Sequence, residues 1–195
     1  MIVFAGPSGA GKSRLAERTG LPVLRLDDFY KDDTDASLPR ITTGANSGLI
    51  DWDHPDSWLP DDAVATIEKL CHDGKASVPV YEIARNGRCG ERTLDLGDRR
   101  LFIAEGIFAQ DVVSACAQRG LLAAAYCVRQ RPLITFWRRL TRDLRERRKP
   151  PLVLLRRGVA LLRVQRAVVQ DAVDKGCTPV TPDQAHNLIR EIVRT

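Results

Sequence analysis

Short apolar stretches alternate with amphipathic stretches along most of this chain. The stretches with the character of buried strands are residues 1–5, 22–26, 100–104, 122–128 and 178–180. The stretches with helical spacing are 12–18, 62–73, 107–118, 132–149, 152–173 and the segment after 181. Because strands that alternate with helices form parallel sheets, this pattern predicts an α/β fold.

Two stretches depart from the alternation. Residues 77–83 and 92–96 are short alternating runs on either side of a polar turn at 86–90, which predicts an antiparallel hairpin over about 77–97. Residues 31–60 are rich in Asp, Gly and Pro and show no sustained period. A loop of this length in a compact domain usually carries binding residues.

Capping residues mark the expected starts of two helices. We expect Asp61 or Asp62 to cap the helix that Gly74 closes. We expect Thr181 to cap the terminal helix, with Pro182 in its first turn. The apolar residues expected on the buried faces of these helices are Val64, Ile67, Leu70 and Cys71 in the first, and Leu188, Ile189, Ile192 and Val193 in the second.

A glycine-rich loop separates the first strand from the first helix. Its sequence, Gly-Pro-Ser-Gly-Ala-Gly-Lys-Ser, fits the pattern GxxxxGK[ST], in which backbone N–H groups cradle phosphates at a helix start. The residues expected to bind the nucleotide are Gly6, Ser8, Gly9, Ala10, Gly11, Lys12 and Ser13. Lys12 is expected to reach the β- and γ-phosphates, and the Ser13 hydroxyl to ligate Mg²⁺.

The composition is that of one ordinary globular domain spanning residues 1–195, with 44% hydrophobic and 28% charged residues. No apolar run approaches 18 residues and the chain goes straight into a strand, so we expect neither a signal peptide nor a spanning helix, and a cytoplasmic protein. Five scattered cysteines without a CxxC pair favour reduced thiols over disulfides or a zinc site.

The net charge of +5 is concentrated in one predicted helix, within about 131–149. Between residues 138 and 149 there are seven basic residues and two acidic ones. Arginines at helical spacing, Arg139 and Arg142 among them, could close as a lid over the transferring phosphate. The alternative is a solvated charged face in which Asp143 and Glu146 partly neutralise the arginines.

The carboxylates near a phosphate-binding loop distinguish a kinase from other nucleotide-binding proteins, and this chain has candidates at its strand ends. Asp27 follows the second strand and is our candidate for the base at an acceptor hydroxyl, with Asp28 as its rival. Glu105 follows the third strand and is expected to help organise Mg²⁺ together with Ser13. Either acid could instead be an ordinary strand-end carboxylate or turn residue.

Aromatic residues near these acids indicate a site for a small planar acceptor. Those that could stack against it are Phe29, Tyr30, Trp52 and Tyr81. Asp53 and Arg88 are candidates for binding its hydroxyls or polar edge. Taken singly, each is more often a packing residue, and His54 is better explained as a hydrogen-bonding residue of the loop than as a ligand.

The order of these motifs resembles that of a known family. The matching segments are Gly-Pro-Ser-Gly-Ala-Gly-Lys-Ser at 6–13, Asp-Asp-Phe-Tyr at 27–30, Asp-His-Pro-Asp at 53–56, Pro-Val-Tyr at 79–81, Glu-Gly-Ile at 105–107 and Arg-Arg-Leu-Thr-Arg-Asp at 138–143. Over roughly residues 1–149 the chain resembles the uridine kinase and phosphoribulokinase family of P-loop kinases, and uridine kinases most.

The resemblance implies a three-layer P-loop fold with a five-stranded parallel sheet, a small β-hairpin and a helical lid. It implies an enzyme of nucleoside salvage that uses ATP and Mg²⁺, with Asp27 as the base on the 5′-hydroxyl. It also implies that Asp53 binds the ribose and that Tyr81 lines the base pocket. Arg139 and Arg142 correspond to lid arginines.

The chain departs from uridine kinases in two places. Asn86 stands where they have a histidine, and residues 150–157 match nothing beyond their lid. The acceptor is therefore open between a uridine- or cytidine-like nucleoside, a sugar phosphate and pantothenate. The donor is open between ATP and GTP. A homo-oligomer is possible, but the sequence does not fix the oligomeric state. An alternative of a different class is a nucleotide-binding regulator with a basic nucleic-acid surface.

Overall fold

A computed structural model describes residues 1–44, 46–130 and 166–194 of the protein. The strands in these ranges are β1 Ile2–Ala5, β2 Val23–Arg25, β3 Lys75–Glu82, β4 Gly87–Asp95, β5 Ile103–Glu105, β6 Ala124–Val128 and β7 Thr178–Val180. The α-helices are α1 Lys12–Thr19, α2 Pro60–Asp73, α3 Val113–Gln118, α4 at 166–174 and α5 Pro182–Arg194. Single turns of 3₁₀-helix lie at Leu26–Phe29, Pro55–Ser57 and Ala109–Val112.

Five of the strands form one parallel sheet in the order β2-β5-β1-β6-β7. The other two, β3 and β4, pair in antiparallel fashion as a separate hairpin. The predicted α/β class, the five-stranded parallel sheet and the hairpin are thereby confirmed. The strand-end residues Asp27 and Glu105 lie at the carboxyl edge, where open parallel sheets bind their ligands.

The sheet is covered on both faces, which explains why β1 is apolar at every position and wholly buried. On one face Val3 belongs to a hydrophobic cluster that includes Ile67 of α2. On the other, Phe4 belongs to a cluster with Leu15 of α1 and Ile189 of α5. The strand that leads into the glycine loop is therefore the centre of the core.

The start of α2 differs from the prediction. Neither Asp61 nor Asp62 caps the helix, because it begins at Pro60, two residues before the predicted start at 62, with Leu59 as its N-cap. Proline suits the first helical position because its missing N–H would have no partner there, and the two acids instead lie in the first turn, where the helix dipole favours them. Cys71 is exposed rather than part of the buried stripe.

The terminal helix α5 starts as predicted. Thr181 Oγ1 accepts a hydrogen bond from the Gln184 N–H at 3.3 Å, and the Thr181 N–H donates to Gln184 Oε1 at 2.9 Å. This reciprocal pair is a capping box. The predicted buried face is partly wrong, because Ile189 is buried whereas Leu188 and Val193 are 37% and 53% exposed.

Smaller differences concern element boundaries. The strand expected at 100–104 runs over Ile103–Glu105, and the helix expected from 107 begins as a 3₁₀ turn before α3. The predicted basic lid at 131–149 lies outside the described residues. So does most of the helix expected at 152–173, of which 166–173 is helical within α4.

Candidate active site

The glycine loop between β1 and α1 lies directly against the end of β6. Gly6 has a φ of +122°, and a Cβ at this position would come within 2.5 Å of the Val128 carbonyl oxygen. Gly9 and Gly11 have φ values of +82° and +97°, a conformation that other residues rarely adopt. Glycine is thus needed to let the loop pass β6 and turn into the helix.

Lys12 is folded into this loop and is only 6% exposed. Its Nζ donates hydrogen bonds to the Gly6 carbonyl at 2.7 Å and to the Pro7 carbonyl at 3.4 Å. A buried ammonium group needs anionic or carbonyl partners, and one held in a glycine loop at a helix start suits a phosphate. Ala10, also buried, closes the turn through its N–H bond to the Pro7 carbonyl at 3.1 Å.

Ser13 and Glu105, the predicted metal ligands, are in direct contact. Ser13 Oγ donates a hydrogen bond to Glu105 Oε1 at 3.0 Å, which joins the start of α1 to the end of β5. Burial raises the pKa of the Glu105 carboxyl, while the nearby Lys12 ammonium opposes this shift. A hydroxyl and a carboxylate are the hard oxygen donors that Mg²⁺ prefers, so the pair fits the ion that the resemblance implies.

Asp27 is held beside the end of β5 as well. Its Oδ1 accepts a hydrogen bond from the Ile107 N–H at 2.9 Å. The approach depends on Gly106, because a Cβ there would lie 2.8 Å from Asp27 Oδ1 and 2.9 Å from Leu26 Cβ. The ends of β2 and β5 therefore bring the candidate base and the candidate metal ligand Glu105 into one neighbourhood.

The rival acid, Asp28, faces the hairpin instead. It is 4% exposed, and burial raises the pKa of its carboxyl. The Arg25 guanidinium, 3.9 Å from Asp28 Oδ1, and a hydrogen bond from the Tyr81 backbone oppose this shift. These contacts give Asp28 a structural role between β2 and β3 and leave Asp27 as the candidate base.

An aromatic cluster lies next to these acids. The Tyr30 ring centroid is 5.8 Å from that of Trp52 and 5.7 Å from that of Tyr81. Three of the four predicted aromatic residues thus lie together and are partly exposed, whereas Phe29 is 1% exposed and packs in the core. Phe108, which the sequence did not indicate, is also buried at 7% exposed and supports the cluster from the core side, with its ring 6.1 Å from that of Tyr30.

The polar acceptor candidates lie around this cluster with different surroundings. Asp53 is exposed, and its N–H donates to Asp51 Oδ1 at 3.2 Å. His54 Nδ1 accepts the Asp56 N–H at 3.2 Å, in agreement with its interpretation as a loop residue. Arg88 is directed to α2, where its Nη2 lies 3.4 Å from Asp62 Oδ2.

Three further residues bear on the predicted acceptor and lid. Asn86 forms the hairpin turn with a φ of +49°. Arg139 and Arg142 lie outside the described residues. In the part of the chain that the structure describes, no group of three or more His, Cys, Asp or Glu is arranged to hold a metal ion, and no helix there is long and apolar enough to cross a membrane.

Comparison with known proteins adds similarities in sequence and in fold. A uridine kinase of Lactobacillus helveticus (strain DPC 4571) is 28% identical over 158 residues, which cover 75% of this chain and 69% of that enzyme. Other bacterial uridine kinases match at 25 to 27% identity. Inorganic pyrophosphatase TTM2 of Arabidopsis thaliana is 32% identical over 114 residues, which cover 56% of this chain but 15% of the plant protein. No protein-family model matches the sequence.

Among solved structures, one assigned as a fructose transport system kinase from Silicibacter sp. TM1040 superposes with a TM-score of 0.61. It is 18% identical and covers 86% of this chain and 82% of its own length. The resemblance to the uridine kinase and phosphoribulokinase family is confirmed. The protein has the fold of a P-loop kinase, and its glycine loop joins β1 to α1 at the carboxyl end of β1.

Proposed function

We propose that the protein is an ATP-dependent phosphotransferase that phosphorylates the primary 5′-hydroxyl of a uridine- or cytidine-like nucleoside. The observation that supports this most is the meeting of three groups at one sheet edge. The buried Lys12 amine lies in the glycine loop, Ser13 binds Glu105 at 3.0 Å, and Asp27 is fixed to the Ile107 amide at 2.9 Å. A donor cradle, a metal carboxylate and a base are the parts that phosphoryl transfer requires.

The residues divide between donor and acceptor. ATP, when bound with Mg²⁺, would supply the γ-phosphoryl group and leave as ADP. The amides of the glycine loop and Lys12 would hold the phosphates and balance charge on the transferred group, while Ser13 and Glu105 would hold the ion. Because Ile107 occupies Asp27 Oδ1, Oδ2 is the oxygen proposed to accept the hydroxyl proton. Arg139 and Arg142 are the proposed lid arginines.

The acceptor side is proposed from the aromatic cluster. The partly exposed rings of Tyr30, Trp52 and Tyr81 offer stacking surfaces for a planar base, and Asp53 is the proposed partner of the ribose hydroxyls. The uridine kinases among the relatives support a nucleoside in this position. Arg88 is the weakest of the predicted acceptor residues because Asp62 already engages its guanidinium.

The decisive experiment combines an acceptor screen with one substitution. The acceptors tested are uridine, cytidine, pentose phosphates and pantothenate, and the assay measures release of ADP from ATP or of GDP from GTP. Asp27→Asn should lower kcat by at least about 10²-fold with little change in ATP affinity, since it removes only the base. Asp33→Asn, an exposed acid six residues away, is the control and should keep wild-type kcat.

Two outcomes would contradict the proposal. Near-normal turnover in Asp27→Asn would remove Asp27 from the role of base. No product with any acceptor, while ATP still binds, would favour a nucleotide-binding regulator over a kinase.

A further inference from the structure

The β3–β4 hairpin is held in different ways at its two ends. Near its base, Ala76, Val78 and Leu94 are buried in the main hydrophobic cluster. Beyond Val78 the side chains of β3 are half-buried and those at the start of β4 are mostly exposed. Hydrophobic burial therefore fixes the base of the hairpin but not its tip at residues 81–90.

The tip is instead tethered by hydrogen bonds to the segment that follows Tyr30. Asp32 Oδ1 accepts the Arg88 N–H at 2.6 Å, and the Asp33 N–H donates to the Asn86 carbonyl at 3.0 Å. Gly87 makes the approach possible, because a Cβ there would lie 3.2 Å from Asp32 Oδ1. The short distance and the ionised acceptor mark the Asp32 contact as the stronger of the two.

A third contact at the tip is the ion pair between Arg88 and Asp62, at 3.4 Å. Its two side chains are 33% and 56% exposed, and ion pairs in water at this exposure contribute little. The buried Asp28 accepts a hydrogen bond from the Tyr81 backbone at the β3 end of the tip. Among the described residues, Asp32 is thus the side chain that holds the turn end of the tip, at Arg88, most directly.

This tether lies next to the aromatic cluster of the site. Tyr81 stands at the tip end of β3, opposite Arg88 in the strand register, with its ring 5.7 Å from Tyr30 and 6.3 Å from Trp52. Burial, with a smaller contribution from the negative charges of Asp32 and Asp33, raises the pKa of Tyr81 to about 12. The contact between Asp32 and Arg88 therefore lies directly across the hairpin from Tyr81.

We propose that Asp32 is a positioning residue that fixes the hairpin tip, and with it Tyr81, against the acceptor side of the site. The part of the inference that concerns the acceptor rests on the proposed function. The tether itself does not, because the hydrogen bond between the Asp32 side chain and the Arg88 backbone can be measured without turnover.

The first test is hydrogen exchange of the full-length protein, with Asp32→Ala compared with Asp33→Ala. Both variants remove one exposed acid of the same charge, but only Asp32 uses its side chain in the tether. Asp32→Ala should raise the exchange of the Arg88 amide about fivefold, as expected for one hydrogen bond lost, and Asp33→Ala should not. Equal exchange in the two variants overturns the tether.

The second test is kinetic and uses the nucleoside found in the acceptor screen. Asp32→Ala should raise the KM for the acceptor about fivefold, with the ATP KM unchanged, and Asp32→Asn should restore it because the amide keeps an acceptor oxygen at Oδ1. An unchanged acceptor KM together with faster exchange would overturn the acceptor role. A wild-type protein inactive on every nucleoside would refute the proposed function, while the exchange result would still decide the tether.

Discussion

Gly106 offers a sharp test of how Asp27 is positioned. Replacing Gly106 with alanine would place a Cβ 2.8 Å from Asp27 Oδ1 and 2.9 Å from Leu26 Cβ, where ordinary contacts begin near 3.4 Å. The atoms it meets belong to a short 3₁₀ turn whose backbone is fixed by β2 and by the buried Leu26. We therefore expect this turn and the end of β5 to separate by about half an ångström, because close-packed interiors cannot absorb the overlap locally.

Two magnitudes follow from that displacement. Overpacking of this size costs about 1–3 kcal/mol of unfolding free energy, which for a domain of this length lowers Tm by roughly 3–9 °C. A shift of about half an ångström in a base should lower kcat at least about tenfold, given that roughly 1 Å costs a hundredfold. ATP affinity should stay close to that of the wild type, since the substitution leaves the glycine loop in place.

The assay is steady-state ADP release with the acceptor saturated, corrected for the folded fraction, together with direct ATP binding. Gly120→Ala is the matched control. Gly120 has a φ of +69°, and a Cβ added there would meet no described atom within 4 Å beyond its chain neighbours, so the change costs backbone strain of about 1 kcal/mol without a clash. That control should lower Tm but keep kcat. Wild-type kcat in Gly106→Ala would refute the idea that the turn after β5 positions Asp27.

Three further predictions concern single residues of the site. Glu105→Gln should raise the Tm of the nucleotide-free protein at neutral pH and lower kcat at least about tenfold, because burial raises the pKa of Glu105. The wild type loses stability as pH rises through that pKa, so the difference in Tm between Glu105→Gln and the wild type should shrink on acidification. A difference that does not change with pH would contradict this prediction. The aromatic ring of Tyr81, and not its hydroxyl, is proposed to contact the acceptor. Tyr81→Phe should therefore leave the acceptor KM unchanged, and Tyr81→Ala should raise it about tenfold in steady-state kinetics. Gly6→Ala should abolish ATP binding in calorimetry or leave the protein unfolded, because its Cβ would meet the Val128 carbonyl at 2.5 Å.

The donor side was predictable from sequence because its parts are local or follow a simple rule. The glycine loop is one contiguous motif, and strand, turn and helix lie within its flanking residues. The proximity of Asp27 and Glu105 could be predicted because acids at the ends of parallel strands meet at one sheet edge. Their partners, the Ile107 amide and Ser13, are 80 and 92 residues away, so the sequence predicts the meeting but not its distances.

The acceptor side was less predictable, because its contacts join segments that show no helical or strand periodicity in the sequence. Phe108 supports the aromatic cluster from the core side, whereas the 3₁₀ turn at Leu26–Phe29 directs Phe29 into the core, and a pattern of single aromatic residues cannot show direction. Asp32 belongs to a polar loop whose only sequence signal was its length. Cys71 fitted the helical spacing of α2, but it lies at the edge of the stripe and is exposed.

The two halves of the site therefore rest on different physical contributions. Glu105 ends the buried strand β5, and Lys12 begins α1 after the glycine loop that follows the buried strand β1, so displacing either residue disturbs the core. The acceptor half depends on polar tethers at an exposed hairpin tip, where local opening costs little. Substitutions at Asp32 and within 81–90 can therefore change the fit to an acceptor at a small cost in stability. The departure at Asn86 falls in this part of the chain, which is where a relative of uridine kinases with a different acceptor would be expected to differ.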